Sequence, residues 1–154
     1  MQLRLNHCIR NVSKANMKEP VERIMGKISK ISQDIVQGNL SHLDIDRSFY
    51  PLLLIDAGNG ITQQELAREL SCDKVQVVRI IDYLSSNGYV DRIPNKTDKR
   101  KYELSVTDKA RKLIPDIKKA FDELSAITLK GLTIKQKNEL YTLLTIIASN
   151  LITL

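Results

Sequence analysis

Two short helices that follow one another directly restrict most strongly what this chain can fold into. Thr62 and Glu65 form a capping box, in which each side chain accepts a hydrogen bond from the other residue's backbone N–H, so a helix is predicted over residues 63–70. Asp73 caps a second helix, and Gly88 provides the left-handed residue that a helix end favours. The sequence therefore predicts a helix-turn-helix. Its turn consists of Ser71 and Cys72.

A predicted β-hairpin with a charged tip follows these two helices. Residues 89–93 and 101–106 alternate between apolar and polar as strands do, and the polar residues 94–98 separate them. Five cations against Asp98 alone give a surplus of +4 over residues 92–101, which favours binding of an anion. The five cations are Arg92, Lys96, Lys99, Arg100 and Lys101.

A helix-turn-helix followed by such a hairpin is a winged helix-turn-helix. The major groove of DNA admits one α-helix, and a hairpin tip can reach the adjacent minor groove or the backbone. The second helix, residues 73–87, would therefore read the bases, and we call it the reader helix.

Longer amphipathic helices are predicted on both sides of this module. Apolar residues recur at helical spacing over residues 21–35, and residues 49–57 are typical of a short buried helix. Thr107 caps a long helix with an expected kink at Pro115, and a second capping box at Thr133 begins the last helix.

The last helix is apolar enough to require a partner. One face carries leucine and isoleucine at helical spacing, and such a face has to be buried, so homodimerisation through the long helices is a natural solution. The fold class expected is mainly α with a small β-hairpin wing, a winged helix-turn-helix with N- and C-terminal dimerisation helices. The apolar face consists of Leu140, Leu143, Leu144, Ile147, Leu151 and Leu154, widened by Ile146, Ala148 and Ile152.

Charge and composition favour an acidic partner and exclude several classes. The 154 residues contain 24 Lys and Arg against 18 Asp and Glu, a net charge of +6, which makes nucleic acid the first candidate. Motifs such as GxSxG, HExxH or a P-loop do not occur, so neither an enzyme nor a cofactor is expected. His7 and His42 are isolated, which argues against a metal site. A cytoplasmic protein is expected, since no apolar run is long enough to cross a membrane and Cys8 and Cys72 lack metal or disulfide spacing.

Residues 61–116 carry four motifs in a specific order: QQELARELS, DKVQVVRIIDYLSSNGYVDR, the tripeptide DKR at residues 98–100, and LSVTDKAR. In order and spacing they resemble the multiple-antibiotic-resistance regulator (MarR) family of bacterial transcription factors. The resemblance implies a regulator, expected to be a repressor, that binds a palindromic operator in double-stranded DNA as a homodimer. It also implies release by a small phenolic or aromatic effector.

The resemblance extends weakly to the first and last helices and suggests a domain organisation. Residues 1–16 form a basic extension without counterpart in the family, and residues 17–43 an N-terminal dimerisation helix. Residues 44–112 form the winged helix-turn-helix, and residues 113–154 form the C-terminal dimerisation helices.

Roles in DNA binding are carried over from the family by position. The residues that match core positions of the reader helix leave others facing outward: Lys74, Val75, Gln76, Val78 and Arg79. Gln76 can form two hydrogen bonds with adenine and Arg79 two with guanine, while a valine can contact a thymine methyl group. The family usually has Ser or Thr where this chain has Val75 and Val78, which predicts an altered base preference.

The wing matches the family's Asp-x-Arg motif at Asp98 and Arg100. In the family this carboxylate orients the guanidinium for insertion into the minor groove. The neighbouring lysines Lys96, Lys99 and Lys101 would contact phosphates.

Two alternatives remain beside DNA binding. A winged helix can bind protein instead of DNA. A flat or inverted electrostatic potential around Arg79 and the wing would favour this alternative. A regulator can also sense redox state through a cysteine, here Cys8 or Cys72, of which Cys72 precedes the reader helix, where the helix dipole lowers a thiol pKa.

Overall fold

A computed structural model describes residues 19–58, 60–95 and 102–152 of the chain. The chain divides into two units between Gly38 and Asn39, and each unit is described by itself. Within its described residues the first unit contains helix α1, Val21–Asn39, which reaches the boundary between the units and confirms the predicted helix. Its N-terminus is stabilised by Glu19, whose Oε1 accepts a hydrogen bond from Lys27 Nζ at 2.5 Å. This contact, with help from Arg23, holds the pKa of the Glu19 carboxyl below its usual value.

The apolar stripe of α1 is largely exposed in this structure. Val21 is 47% exposed, Ile24 42%, Ile28 51% and Ile31 43%. A helix with such a face is normally buried against a partner, so this face is available for one.

The second unit contains six helices and three strands within its described residues. They are α2 (Phe49–Gly58), β1 (Ile61–Thr62), α3 (Gln63–Glu69), α4 (Lys74–Ser86), β2 (Val90–Pro94), β3 (Tyr102–Val106), α5 (Asp108–Arg111), α6 (Ile114–Thr128) and α7 (Ile134–Ile152). The core of this unit lies where α2, α3 and α4 meet the sheet and where α6 packs on α2. Its most deeply buried side chains include Leu52, Ile55, Leu66, Val77, Ile81, Leu84, Tyr89, Leu104 and Ile117.

The sheet is antiparallel, with the strand order β1-β3-β2. Strands β2 and β3 form the predicted hairpin, in which Arg92 lies opposite Leu104 and Pro94 opposite Tyr102. The sequence did not predict β1, because two residues are too short to show an alternating pattern. Pairing of Ile61 with Leu104 is what makes this segment a strand.

The predicted caps of the helix-turn-helix are confirmed. Both arms of the capping box are formed: the Glu65 carboxylate accepts from the Thr62 N–H at 2.8 Å, and the Thr62 hydroxyl accepts from the Glu65 N–H. Asp73 Oδ1 accepts from the Gln76 N–H at 2.8 Å. Helix α4 ends at Ser86, and Gly88 has a φ of 70°, as the predicted left-handed position requires.

Replacement of the N-cap of α4 gives a first prediction. We expect Asp73→Ala to lower the free energy of unfolding by about 1 kcal/mol, because the Gln76 N–H loses its acceptor. Urea unfolding followed by circular dichroism measures this change. Asp73→Asn is the matched control, since asparagine also caps and should stay close to the wild type; equal stability of Asp73→Ala would contradict the role of the cap.

The predicted single long helix after Thr107, kinked at Pro115, is wrong. Thr107 caps only the short α5, which ends at Arg111, and a new helix, α6, begins at Ile114 with Pro115 in its first turn. Proline has no N–H to donate to the carbonyl four residues earlier, here that of Arg111, and its ring clashes with that carbonyl. The helix is therefore interrupted at Lys112 and Leu113, which lie between α5 and α6.

Helix α7 confirms the second capping box and leaves its apolar face open. The Thr133 N–H donates to Gln136 Oε1 at 2.9 Å, and the Gln136 N–H donates to the Thr133 hydroxyl. No residue of α7 is buried, and within the described part of residues 39–152 no other element packs extensively along it. Leu143 is 51% exposed and Leu151 61%. Leu154 lies outside the described residues.

Candidate nucleic-acid interface

Helix α4, the reader helix, has one buried and one exposed face. Val77, Ile81 and Leu84 are fully buried, and Ile80 is half-buried, so the residues that match core positions face inward. The structure places four of the five predicted contact residues on the exposed face: Lys74, Val75, Gln76 and Arg79. Val78 is half-buried and is less accessible than predicted.

The exposed face of the reader helix has unpaired cations. Lys74 and Arg79 form no ion pair with any residue that the structure describes. Gln76 lies in the capped first turn, where its own N–H donates to Asp73 Oδ1, which fixes the position of its backbone. Cationic and amide side chains in this arrangement are the donors that recognise guanine and adenine edges in the major groove.

An ion pair joins the reader helix to the wing. Arg92 on β2 donates a hydrogen bond through Nη2 to Asp82 Oδ1 on α4. The charge pattern of the sequence predicts that Arg92 helps to bind an anion, and it predicts no role for Asp82. The two residues are ten positions apart on different kinds of element, so no spacing rule connects them.

The rear and the C-terminal end of the reader helix are fixed by tyrosines. The Tyr83 hydroxyl accepts a hydrogen bond from the Asp46 N–H at 2.6 Å, and the Tyr89 hydroxyl donates to the Asp44 carbonyl. Lys109 Nζ lies 4.2 Å from the Tyr89 ring centroid and donates to the Asn87 carbonyl at 2.8 Å. A cation at this end complements the helix dipole. These contacts hold α4 in place from behind and leave its outer face free.

The structure describes the base of the wing and not its tip. The predicted wing residues Lys96, Asp98, Lys99, Arg100 and Lys101 lie outside the described residues. At the base of the tip, Tyr102 is 52% exposed, and the Asn95 amide donates to Glu103 Oε1 at 2.5 Å.

A small cleft of about 250 Å³ lies between the end of α2 and the sheet. Three charged residues line it, and each already has a partner: Asp56 pairs with Lys118 at 3.1 Å, Arg111 with Asp108 at 2.7 Å, and Glu103 accepts from Asn95. These charged groups are therefore committed to contacts within the protein.

The described residues contain neither a cluster of metal ligands nor a helix that could span a membrane. Residues 19–58, 60–95 and 102–152 contain no group of three or more His, Cys, Asp or Glu side chains that could hold a metal ion. Over the same ranges, each helix is too short or too polar to span a bilayer.

Two helices joined by a tight turn and followed by a β-hairpin define a winged helix-turn-helix protein. The MarR family model matches residues 46–101, which cover this module from α2 to the tip of the wing. Over this module the chain is similar to the MarR family, whose members are transcriptional regulators. The resemblance derived from the motifs of residues 61–116 is thereby confirmed.

Similar proteins are regulators of the same kind. An uncharacterized HTH-type transcriptional regulator of Bacillus subtilis, YybA, is 26% identical over 130 residues, which are 84% of this chain and 87% of that protein. A SlyA-like transcription regulator from Listeria monocytogenes is 29% identical, with a TM-score of 0.79 and coverage of 88% of this chain and 90% of that one.

A third relative is a putative MarR family transcriptional regulator from Listeria monocytogenes, whose structure is a complex with 26mer DNA. It is 27% identical, with a TM-score of 0.78 and coverage of 87% of this chain and 89% of that one.

Proposed function

We propose that this protein binds double-stranded DNA sequence-specifically as a homodimer and represses transcription from a palindromic operator in the cytoplasm. The observation that carries the proposal is the outer face of α4, where Gln76 and Arg79 are exposed while Val77, Ile81 and Leu84 anchor the helix from behind. The DNA complex of the similar regulator from Listeria monocytogenes supports the same use of the fold.

The unpaired cations favour DNA over a protein partner. A winged helix that binds protein would be expected to show a flat or inverted potential around Arg79. Lys74 and Arg79 instead present positive charge that no acidic side chain among the described residues compensates through an ion pair. A phosphate-lined groove complements such a surface.

Homodimerisation is supported by the open apolar faces of two helices, each taken by itself. Half-exposed aliphatic side chains line α1, and α7 contains no buried residue. A second copy would cover these faces and would present two reader helices to one duplex. Half-sites about 10 base pairs apart, one turn along the duplex, would then be read from the same side.

Two further parts of the proposal rest on the family resemblance. They are control by an effector and the domain boundaries at residues 17, 44 and 113. A phenolic or aromatic effector would act by changing the separation of the two reader helices. Because each helix must fit its groove, a shift of a few ångströms lowers affinity for the operator.

Selection from random duplexes by the purified protein tests this function. We expect the wild type to enrich a palindromic sequence, and Arg79→Ala to relax one or two base positions in each half-site by about 1–3 kcal/mol. Arg79→Lys is the control: it keeps the charge but loses the two-pronged hydrogen bonding, so it should relax the same positions with a smaller loss of total affinity. An unchanged preference in Arg79→Ala would remove Arg79 from the reader role.

A further inference from the structure

The contact between Asp82 and Arg92 lies where the hairpin leaves the core. Val90, at the start of β2, is buried, and Leu104, opposite Arg92, is 1% exposed. One pair further along the hairpin, Ile93 is 47% exposed. Buried apolar side chains therefore anchor the base of the wing in the core. Arg92, further along, is joined to the reader helix by its hydrogen bond to Asp82.

The side to which Arg92 points follows from the register of the strand. Alternate residues of a strand share a face, so Arg92 lies on the same face as buried Val90, the face that packs on α4. Its guanidinium meets Asp82, two turns beyond the N-terminal residues of α4 that face outward. The pair thus bridges the two elements that would enter neighbouring grooves of one duplex.

We propose that Asp82 and Arg92 form a clamp that sets the position of the wing relative to the reader helix, so that Arg92 is a positioning residue and not a phosphate contact. This inference rests on the proposed function, since it assigns a role within DNA binding. The clamp carries no net charge, so it fixes geometry without adding to the attraction for phosphates.

The two possible roles of Arg92 predict opposite effects of removing Asp82. If Arg92 contacts a phosphate, loss of the Asp82 carboxylate frees the guanidinium and removes a negative charge near DNA, so affinity rises. If the pair is a clamp, loss of either partner releases the wing, so both losses weaken binding. The sign of the effect of Asp82→Asn therefore decides between them.

The experiment compares Asp82→Asn, Arg92→Met and the double variant by fluorescence anisotropy on the selected duplex. We expect each single variant to bind up to about 25-fold more weakly, because each of the two copies loses up to about 5-fold, the upper range for partly exposed ion pairs, and the double variant to be no weaker than Arg92→Met. Equal or tighter binding by Asp82→Asn, or additive losses in the double variant, would overturn the clamp.

Hydrogen exchange of the DNA-free protein provides a second readout that does not depend on DNA binding. Both single variants should speed exchange of the β2 and β3 amides to a similar extent, because a released hairpin opens more often. Glu123→Gln removes a carboxylate from another exposed ion pair, that with Lys119 on α6, and should change neither readout. Unchanged exchange in β2 and β3 of both variants would overturn the clamp.

The two proposals fail in different ways. A wild-type protein that enriches no duplex contradicts the proposed function, and the exchange measurement then still tests the clamp alone. A wild-type protein that enriches a palindrome, with wing exchange unaffected by Asp82→Asn, contradicts the clamp and leaves the proposed function standing.

Discussion

Operator binding is expected to weaken by about 10³- to 10⁵-fold when the salt concentration rises from 50 to 200 mM. The reason is the release of counterions from the duplex. On each protomer the reader helix presents Lys74 and Arg79 without ion pairs among the described residues, and the sequence of the wing tip adds three lysines and an arginine. Two copies that neutralise roughly 6 to 10 phosphates between them give a salt dependence of this size.

The measurement is a fluorescence anisotropy titration of the selected duplex at several salt concentrations. The logarithm of the affinity should fall linearly with the logarithm of the salt concentration, with a slope of about −0.9 for each phosphate neutralised. Lys74→Ala removes one lysine from each copy, so it should make this slope shallower by about 2 while leaving the preferred sequence unchanged. A slope near zero would show that phosphates do not dominate binding and would favour a partner other than DNA.

Placing a charge on the apolar face of α7 is expected to separate the two copies. Leu151 is 61% exposed in one copy, so Leu151→Asp should alter the stability of the single chain little. In a homodimer each copy would bury this side chain, at about 1.5–3 kcal/mol per leucine. The two substitutions together should therefore raise the dimer dissociation constant by about 10²- to 10⁴-fold.

Light scattering and sedimentation over a range of protein concentrations measure this change. Asn138→Asp introduces the same charge on the exposed, polar side of α7 and should leave the dimer intact. A wild-type protein that stays monomeric at all concentrations, or a Leu151→Asp variant as dimeric as the wild type, would contradict homodimerisation through this face. Loss of the dimer should also abolish the preference for palindromic over single half-sites.

Those parts of the fold that depend on neighbouring residues could be predicted from the sequence. The caps at Thr62 and Asp73 and the left-handed Gly88 are local signals, each formed by groups within a few residues, and all three are found. Between α5 and α6 the sequence predicts only a kink, because the periodicity of apolar residues continues across Pro115, whereas the structure has two separate helices.

The parts that depend on distant residues could not be predicted in this way. Strand β1 exists only because Ile61 pairs with Leu104, forty-three positions later, and no pattern in two residues indicates this. The same holds for the contact of Asp82 with Arg92, which required the relative placement of a helix and a strand. The roles of Val75, Gln76 and Arg79 in base recognition stay predictions for the selection experiment.

The tyrosines behind the reader helix have a consequence for how this protein can diverge among relatives. Tyr83 and Tyr89 form hydrogen bonds with the main chain of the loop before α2, at the Asp46 N–H and the Asp44 carbonyl. Almost any residue supplies these two groups, so positions 44 and 46 are free to change identity over evolutionary time. The hydroxyl groups, in contrast, come from the side chains of Tyr83 and Tyr89. We therefore expect tyrosine to be retained at positions 83 and 89 among relatives.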